Sequence, residues 1–145
     1  MSVTIEIATE ATDELVAAFA HLVPQLSKSS RPPGAAEVAE MVASPASDVL
    51  VARLDGAIVG TLTLVVFRIP TGVRAWIEDV VVDDAARGHG VGDQLNRFAV
   101  DVARSKGART VDLTSRPFRE SANRLYQRIG FVPRDTNVYR LSLEA

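Results

Sequence analysis

A chain of 145 residues with 47% apolar side chains supports a single domain, residues 1–145, around one core. It has no cysteine and two histidines, His21 and His89, which excludes disulfides, thiolate metal sites and a cysteine nucleophile and argues against a histidine-built metal site. Sixteen basic against 18 acidic residues give a net charge of −2, without the basic excess of a nucleic-acid binder.

Taken in chain order, Val3 to Ala8 alternates as a strand. A helix follows with Thr12 or Asp13 near its N-cap and Leu15, Ala18, Phe19, Leu22 and Leu26 as its apolar stripe; Pro24 should end or kink it. Ser27 to Gly34 is a polar, Pro/Gly-rich loop, and Val38, Met41 and Val42 mark a short second helix that ends before Pro45. Asp48 to Leu54, the Asp55-Gly56 turn and Ala57 to Ile69 predict a hairpin. After Pro70-Thr71-Gly72 a strand runs from Val73 to Asp83. Val91, Leu95, Phe98, Ala99, Val102 and Ala103 then give a helix stopped by Gly107. Thr110 to Thr114 is a further strand, and Ala122, Leu125, Tyr126 and Ile129 form the stripe of a last helix closed by Gly130. Phe131 to Pro133 and Val138 to Leu143 are expected to add one or two closing strands. No apolar run reaches membrane-span length and no leader pattern opens the chain, so a cytoplasmic protein without a membrane partner is expected.

The segment between the valine-rich strand and the long helix carries the chemistry. Arg87-Gly88-His89-Gly90-Val91-Gly92 opens a helix, whose first N–H groups are unpaired and lie at the positive end of its dipole. Glycines let an anion approach that backbone. The spacing differs from the dinucleotide fingerprint, since Asp93 stands where a third glycine belongs, and no lysine completes a P-loop. A phosphorylated ligand is the expectation. A plain strand-to-helix turn and a nucleotide site are the alternatives.

The pattern Arg87-x-x-Gly90-x-Gly92 after Val80, Val81 and Val82 resembles the acyl-CoA-binding motif of the GCN5-related N-acetyltransferases (GNAT), and Ser121 to Phe131 resembles that family's Ala-x-x-Leu-Tyr-x-x-x-Gly-Phe segment. The resemblance runs from about Val49 to the C-terminus. It implies an α/β fold, a central mixed, mostly antiparallel sheet flanked by about four helices. It also implies acetyl-CoA as donor and coenzyme A as product. The residues from Arg87 to Asp93 would hold the diphosphate through Arg87, Gly88, His89, Gly90, Val91, Gly92 and Asp93. The backbone of Val80, Val81 and Val82 would pair with the pantetheine arm and support the oxyanion.

Two catalytic roles follow from the same resemblance. Tyr126 maps onto the family's acid for the leaving thiolate, although it also fits a core position on its helix. Glu78, on the strand that leads to the reaction centre, is the candidate base, with a structural carboxylate as the alternative. A base is needed because an alkyl amine of pKa ~10.4 is about 3.4 units from neutral at pH 7, a penalty of roughly 4.6 kcal/mol. Many relatives place an asparagine seven positions before the tyrosine; here Arg119 stands there, so Arg119 and Asn123 are the remaining candidates for the coenzyme. The arginines at 116, 119, 124 and 128 are either a solvated face or a positive field near the anion.

The expected activity is transfer of an acetyl group to a primary amine of a small molecule, protein or peptide, by direct attack in a ternary complex. Ser27 to Gly34 and Asp135 to Tyr139 would border the acceptor. A non-catalytic acyl-CoA-binding regulatory domain is the competing expectation, and an exposed strand edge leaves a homodimer open.

Overall fold

The computed structural model describes residues 2–144. The chain divides into two compact units, Met1–Thr114 and Ser115–Ala145. In the first, the elements run β1 (Val3–Ile7), α1 (Asp13–Leu26), α2 (Ala35–Ala43), β2 (Ser47–Leu54), β3 (Ala57–Ile69), β4 (Gly72–Val82), a 3-10 turn (Asp84–Ala86), α3 (Val91–Ser105) and β5 (Thr110–Asp112). The strands form one sheet in sequence order. The first four pair antiparallel and β5 joins β4 in parallel.

Local chemistry accounts for the boundaries. Thr12 caps α1, its Oγ1 accepting from the Leu15 N–H at 3.1 Å. Pro24 does not end the helix, which continues to Leu26. It falls in the last turn, where a missing N–H removes a single helical bond, and Ser27 N still reaches Val23 O at 2.9 Å. Asp55 and Gly56 both take positive φ, 50° and 89°, as a two-residue hairpin turn requires.

Alternation along the strands builds two apolar layers. Leu15 and Phe19 of α1 and Val38 of α2 pack with Val49 and Val51 on one face. On the other, α3 lies close over Gly60, where a Cβ would come within 3.1 Å of Leu95 and of the Val81 carbonyl. Leu22, Leu50, Leu62, Leu64 and Leu95 are fully buried; each such side chain contributes roughly 1.5–3 kcal/mol relative to exposure. This core holds β4 and the start of α3 in fixed relation.

The second unit contains α4 (Glu120–Ile129). Gly130, at φ 124°, closes it, and the Phe131 N–H returns to the Tyr126 carbonyl at 2.9 Å. The closing strands expected at 131–133 and 138–143 are not formed among the described residues. Val132, Val138, Tyr139, Leu141 and Leu143 are all exposed. The residue types are those of a strand, but a strand exists only where another backbone pairs with it, and this segment has no ladder.

Candidate active site

The pairing of β4 leaves one of its edges open. Its contact with β5 ends at Trp76, opposite Asp112. Among the described residues, β4 from Ile77 to Val82 pairs with β3 alone, so its other edge carries backbone groups without a strand partner. A bulge sits in this same stretch. Thr61 pairs with Val81 and Thr63 with Glu78, so β4 has one more residue here than β3. Asp79 absorbs it with φ 50°, a conformation uncommon outside glycine. The bulge re-aims the edge at Val80 to Val82, where the sequence predicts backbone contacts.

Glu78 is exposed beside the bulge. Its partner Thr63 faces Val49 across β2, which places Glu78 on the sheet face that carries α1 and α2. That is the side from which the loop between those helices, residues 27–34, arises.

The strand then delivers the turn that opens α3. Asp83 N bonds to Val59 O at 2.7 Å, and the Asp83 side chain caps the 3-10 turn through the Ala85 N–H at 3.1 Å. Gly88 and Gly90 follow at φ 86° and 74°, and apart from chain neighbours no atom of the described residues lies within 4 Å of a Cβ built on either. Gly90 is the N-cap of α3. The N–H groups from Gly88 to Asp93 have no acceptor among the described residues. The first return bond is Gln94 N to Gly90 O at 3.0 Å. The result is an open row of donors at a helix N-terminus, the form of an anion site. The Arg87 guanidinium rests on Asp84 Oδ1 at 2.9 Å and is 73% exposed, so it is free to exchange that partner for a ligand phosphate. Asp93 pairs with Arg97 one helical turn on.

The Ala85 N–H, followed by His21 and Gln25, holds the Asp83 carboxyl below its usual range. A depressed folded pKa contributes stability above the unfolded value near 3.8, and that contribution is lost as pH falls through the lower folded value. Melting temperature measured from pH 6 down to 2 should therefore fall more steeply below about pH 4 in the wild type than in Asp83→Asn, which has no such carboxylate.

In the second unit, Arg119, Asn123 and Tyr126 lie at the start and on the body of α4. Arg119 is its N-cap position. Asn123 Nδ2 donates to the carbonyls of Arg116 and Arg119, both at 2.9 Å, so its amide nitrogen is already used to fasten the entry to the helix. Tyr126 packs edge-on against Phe131, ring centroids 5.9 Å apart at 70°. Burial pushes its phenol above the usual value, with Arg119 opposing. The hydroxyl therefore stays protonated at neutral pH.

Two features of the site have no sequence signal: the bulge at Asp79, and the tether between Asp83 and α1, whose partners lie some sixty positions apart. Only the fold brings them into view.

Several solved structures share this fold. An Agrobacterium tumefaciens C58 structure assigned as an acetyltransferase is 26% identical, with 96% of this chain and 99% of that one covered at a TM-score of 0.85. A Trypanosoma brucei acetyltransferase is 27% identical, covering 98% and 100% at 0.79. A Bacillus halodurans C-125 structure described as a transcriptional regulator is 30% identical, covering 97% and 100% at 0.79. In sequence, a mycothiol acetyltransferase of Beutenbergia cavernae is 33% identical over 79 residues, 54% of this chain; the match spans about a quarter of that relative, 26%. Residues 13–131 fit the model of the acetyltransferase (GNAT) family, from α1 through both motifs, and the chain belongs to that family.

Proposed function

We propose that this protein transfers an acetyl group from acetyl-CoA to a primary amine, both substrates being bound together. The observation that carries the proposal is the continuity of two unsatisfied backbone surfaces: the open edge of β4 from Ile77 to Val82, then the free N–H row from Gly88 to Asp93. An extended amide-bearing arm ending in a diphosphate matches both in order. The thioester supplies an electrophilic acyl carbon. N–H groups along Val80 to Val82 would support the charge that develops on its oxygen.

Tyr126 is assigned the proton donor for the departing thiolate. Its place in the second motif supports this, and a phenol is neutral at about pH 7, the form an acid needs. Glu78 is assigned the acceptor's base, directly or through water. Its exposure, and its position on the face of α1 and α2, support that role. Arg87 is assigned to the diphosphate, and Arg119 and the free oxygen of Asn123 to the coenzyme's polar groups.

The regulator described from Bacillus halodurans favours one second reading, a domain that binds acyl-CoA without turnover. Thiol release from acetyl-CoA across a panel of amines, peptides and aminoglycosides separates the two. Turnover that depends on the amine supports transfer; tight binding with no amine-dependent release supports the regulatory reading. With a productive amine in hand, Glu78→Gln should lower kcat/KM at pH 7 by about 10²-fold or more. The deficit should shrink as pH rises toward the amine's own pKa, because the acceptor then arrives already deprotonated. A deficit unchanged between pH 7 and pH 9.5 would remove Glu78 from the role of base.

A further inference from the structure

We infer that His21 and Gln25 are positioning residues for the coenzyme turn, an inference that rests on the acetyl-CoA reading above. The two side chains lie four residues apart on α1, on one face of the helix. His21 Nε2 is 2.9 Å from Asp83 Oδ2. Asp83 is ionised at neutral pH and can only accept, so Nε2 carries the proton. Gln25 meets the same loop twice. Its Nε2 lies 3.4 Å from Asp83 Oδ1, and its Oε1 accepts from the Asp84 N–H at 2.8 Å.

These contacts converge on the two residues at the base of the turn. Asp83 ends the β4 path and caps the 3-10 turn, and Asp84 begins that turn and holds Arg87. From there the chain leaves for Gly88 and Gly90. A Cβ on either would meet no non-neighbouring atom, so the direction of the turn is set at its two ends, where Ala86 and Val91 are buried and Asp83 N bonds to Val59 O. Beside these, α1 supplies the side-chain tether at the base of the turn. Helix α1 is itself fixed by the buried Leu15, Phe19 and Leu22. His21 is 65% exposed, so its bond adds little to global stability. Its effect is geometric: it sets where the N–H row points.

The consequence is specific to ligands that reach the turn. Coenzyme A carries a diphosphate, whereas S-acetylpantetheine has the same arm without it. The test is titration of the whole protein with each ligand, by calorimetry for the first and by NMR shifts for the second, in wild type, His21→Leu, Gln25→Leu and His21→Gln. The leucine variants should weaken coenzyme A by about tenfold, as expected if the displaced N–H row forfeits roughly one charge-assisted hydrogen bond to the diphosphate. S-acetylpantetheine affinity should change less than about twofold, and melting temperature by less than about 3 °C. His21→Gln, which keeps an N–H donor near the Nε2 position, should bind coenzyme A within about threefold of wild type.

Leucine variants that bind coenzyme A as wild type does would overturn the inference. So would equal weakening of both ligands, which marks general loosening, or a glutamine variant as weak as the leucine one. Wild type that binds neither ligand would instead remove the acetyl-CoA reading itself.

Discussion

Replacing Gly90 with valine is expected to abolish coenzyme A binding in a protein that still folds. Gly90 caps α3 at φ 74°, a left-handed conformation that a β-branched residue adopts only under strain. Such a residue costs on the order of 1–3 kcal/mol. For a chain of this size that corresponds to a melting temperature lower by roughly 3–10 °C, short of unfolding a domain with ordinary stability. Apart from its chain neighbours, no atom of the described residues lies within 4 Å of the new Cβ, so the backbone strain is the main cost. The side chain enters open space at the turn that carries the free N–H row, where the proposed ligand would lie. Several charge-assisted bonds of about 1.5–3 kcal/mol each would be lost or displaced there, and the dissociation constant should rise at least about 100-fold. Thermal unfolding and calorimetric titration on one preparation separate the two effects. Unimpaired binding with the melting temperature lowered would place the ligand elsewhere.

Tyr126→Phe should leave the fold and coenzyme affinity intact and reduce turnover. The ring's edge-on contact with Phe131 survives the change, since only the hydroxyl is removed. The phenol is protonated at neutral pH, the form that can donate to a thiolate. Loss of a positioned proton donor lowers kcat by about 10²–10⁴-fold. The KM for acetyl-CoA should stay within about threefold, because a proton donor to the leaving sulfur would act on the chemical step rather than on binding. Steady-state kinetics with thiol detection gives both numbers. A fall in affinity with kcat preserved would make Tyr126 a binding residue. No effect on either would make it a packing residue, as its place on the α4 stripe also allows.

The sequence is most informative where local rules decide structure. Thr12, Asp55-Gly56, Gly107 and Gly130 each terminate or turn the chain by chemistry confined to a few residues, and the structure places them in those roles. The run of Val80 to Val82 and the glycines after Arg87 are legible for the same reason. Where several partners share the decision, the sequence is silent. Pro24 reads as a helix end because its missing N–H is visible, but its position in the last turn is not. Asp79 shows nothing of a bulge, which arises from register against Thr61 and Thr63. His21 looks like an isolated titratable group until the fold brings α1 to Asp83. Residues 138–143 have the alternation of a strand, yet alternation states only which side chains would share a face; pairing requires a second edge.

The central claim is that the N–H row from Gly88 to Gly92 holds a diphosphate and thereby lays an acetylated arm along the open edge of β4. A crystal structure of the complex with coenzyme A tests it most directly. The account predicts diphosphate oxygens about 3 Å from these amides and an arm hydrogen-bonded to the backbone of Val80 to Val82. A coenzyme bound with its diphosphate away from the turn, and that edge of β4 untouched, would contradict it.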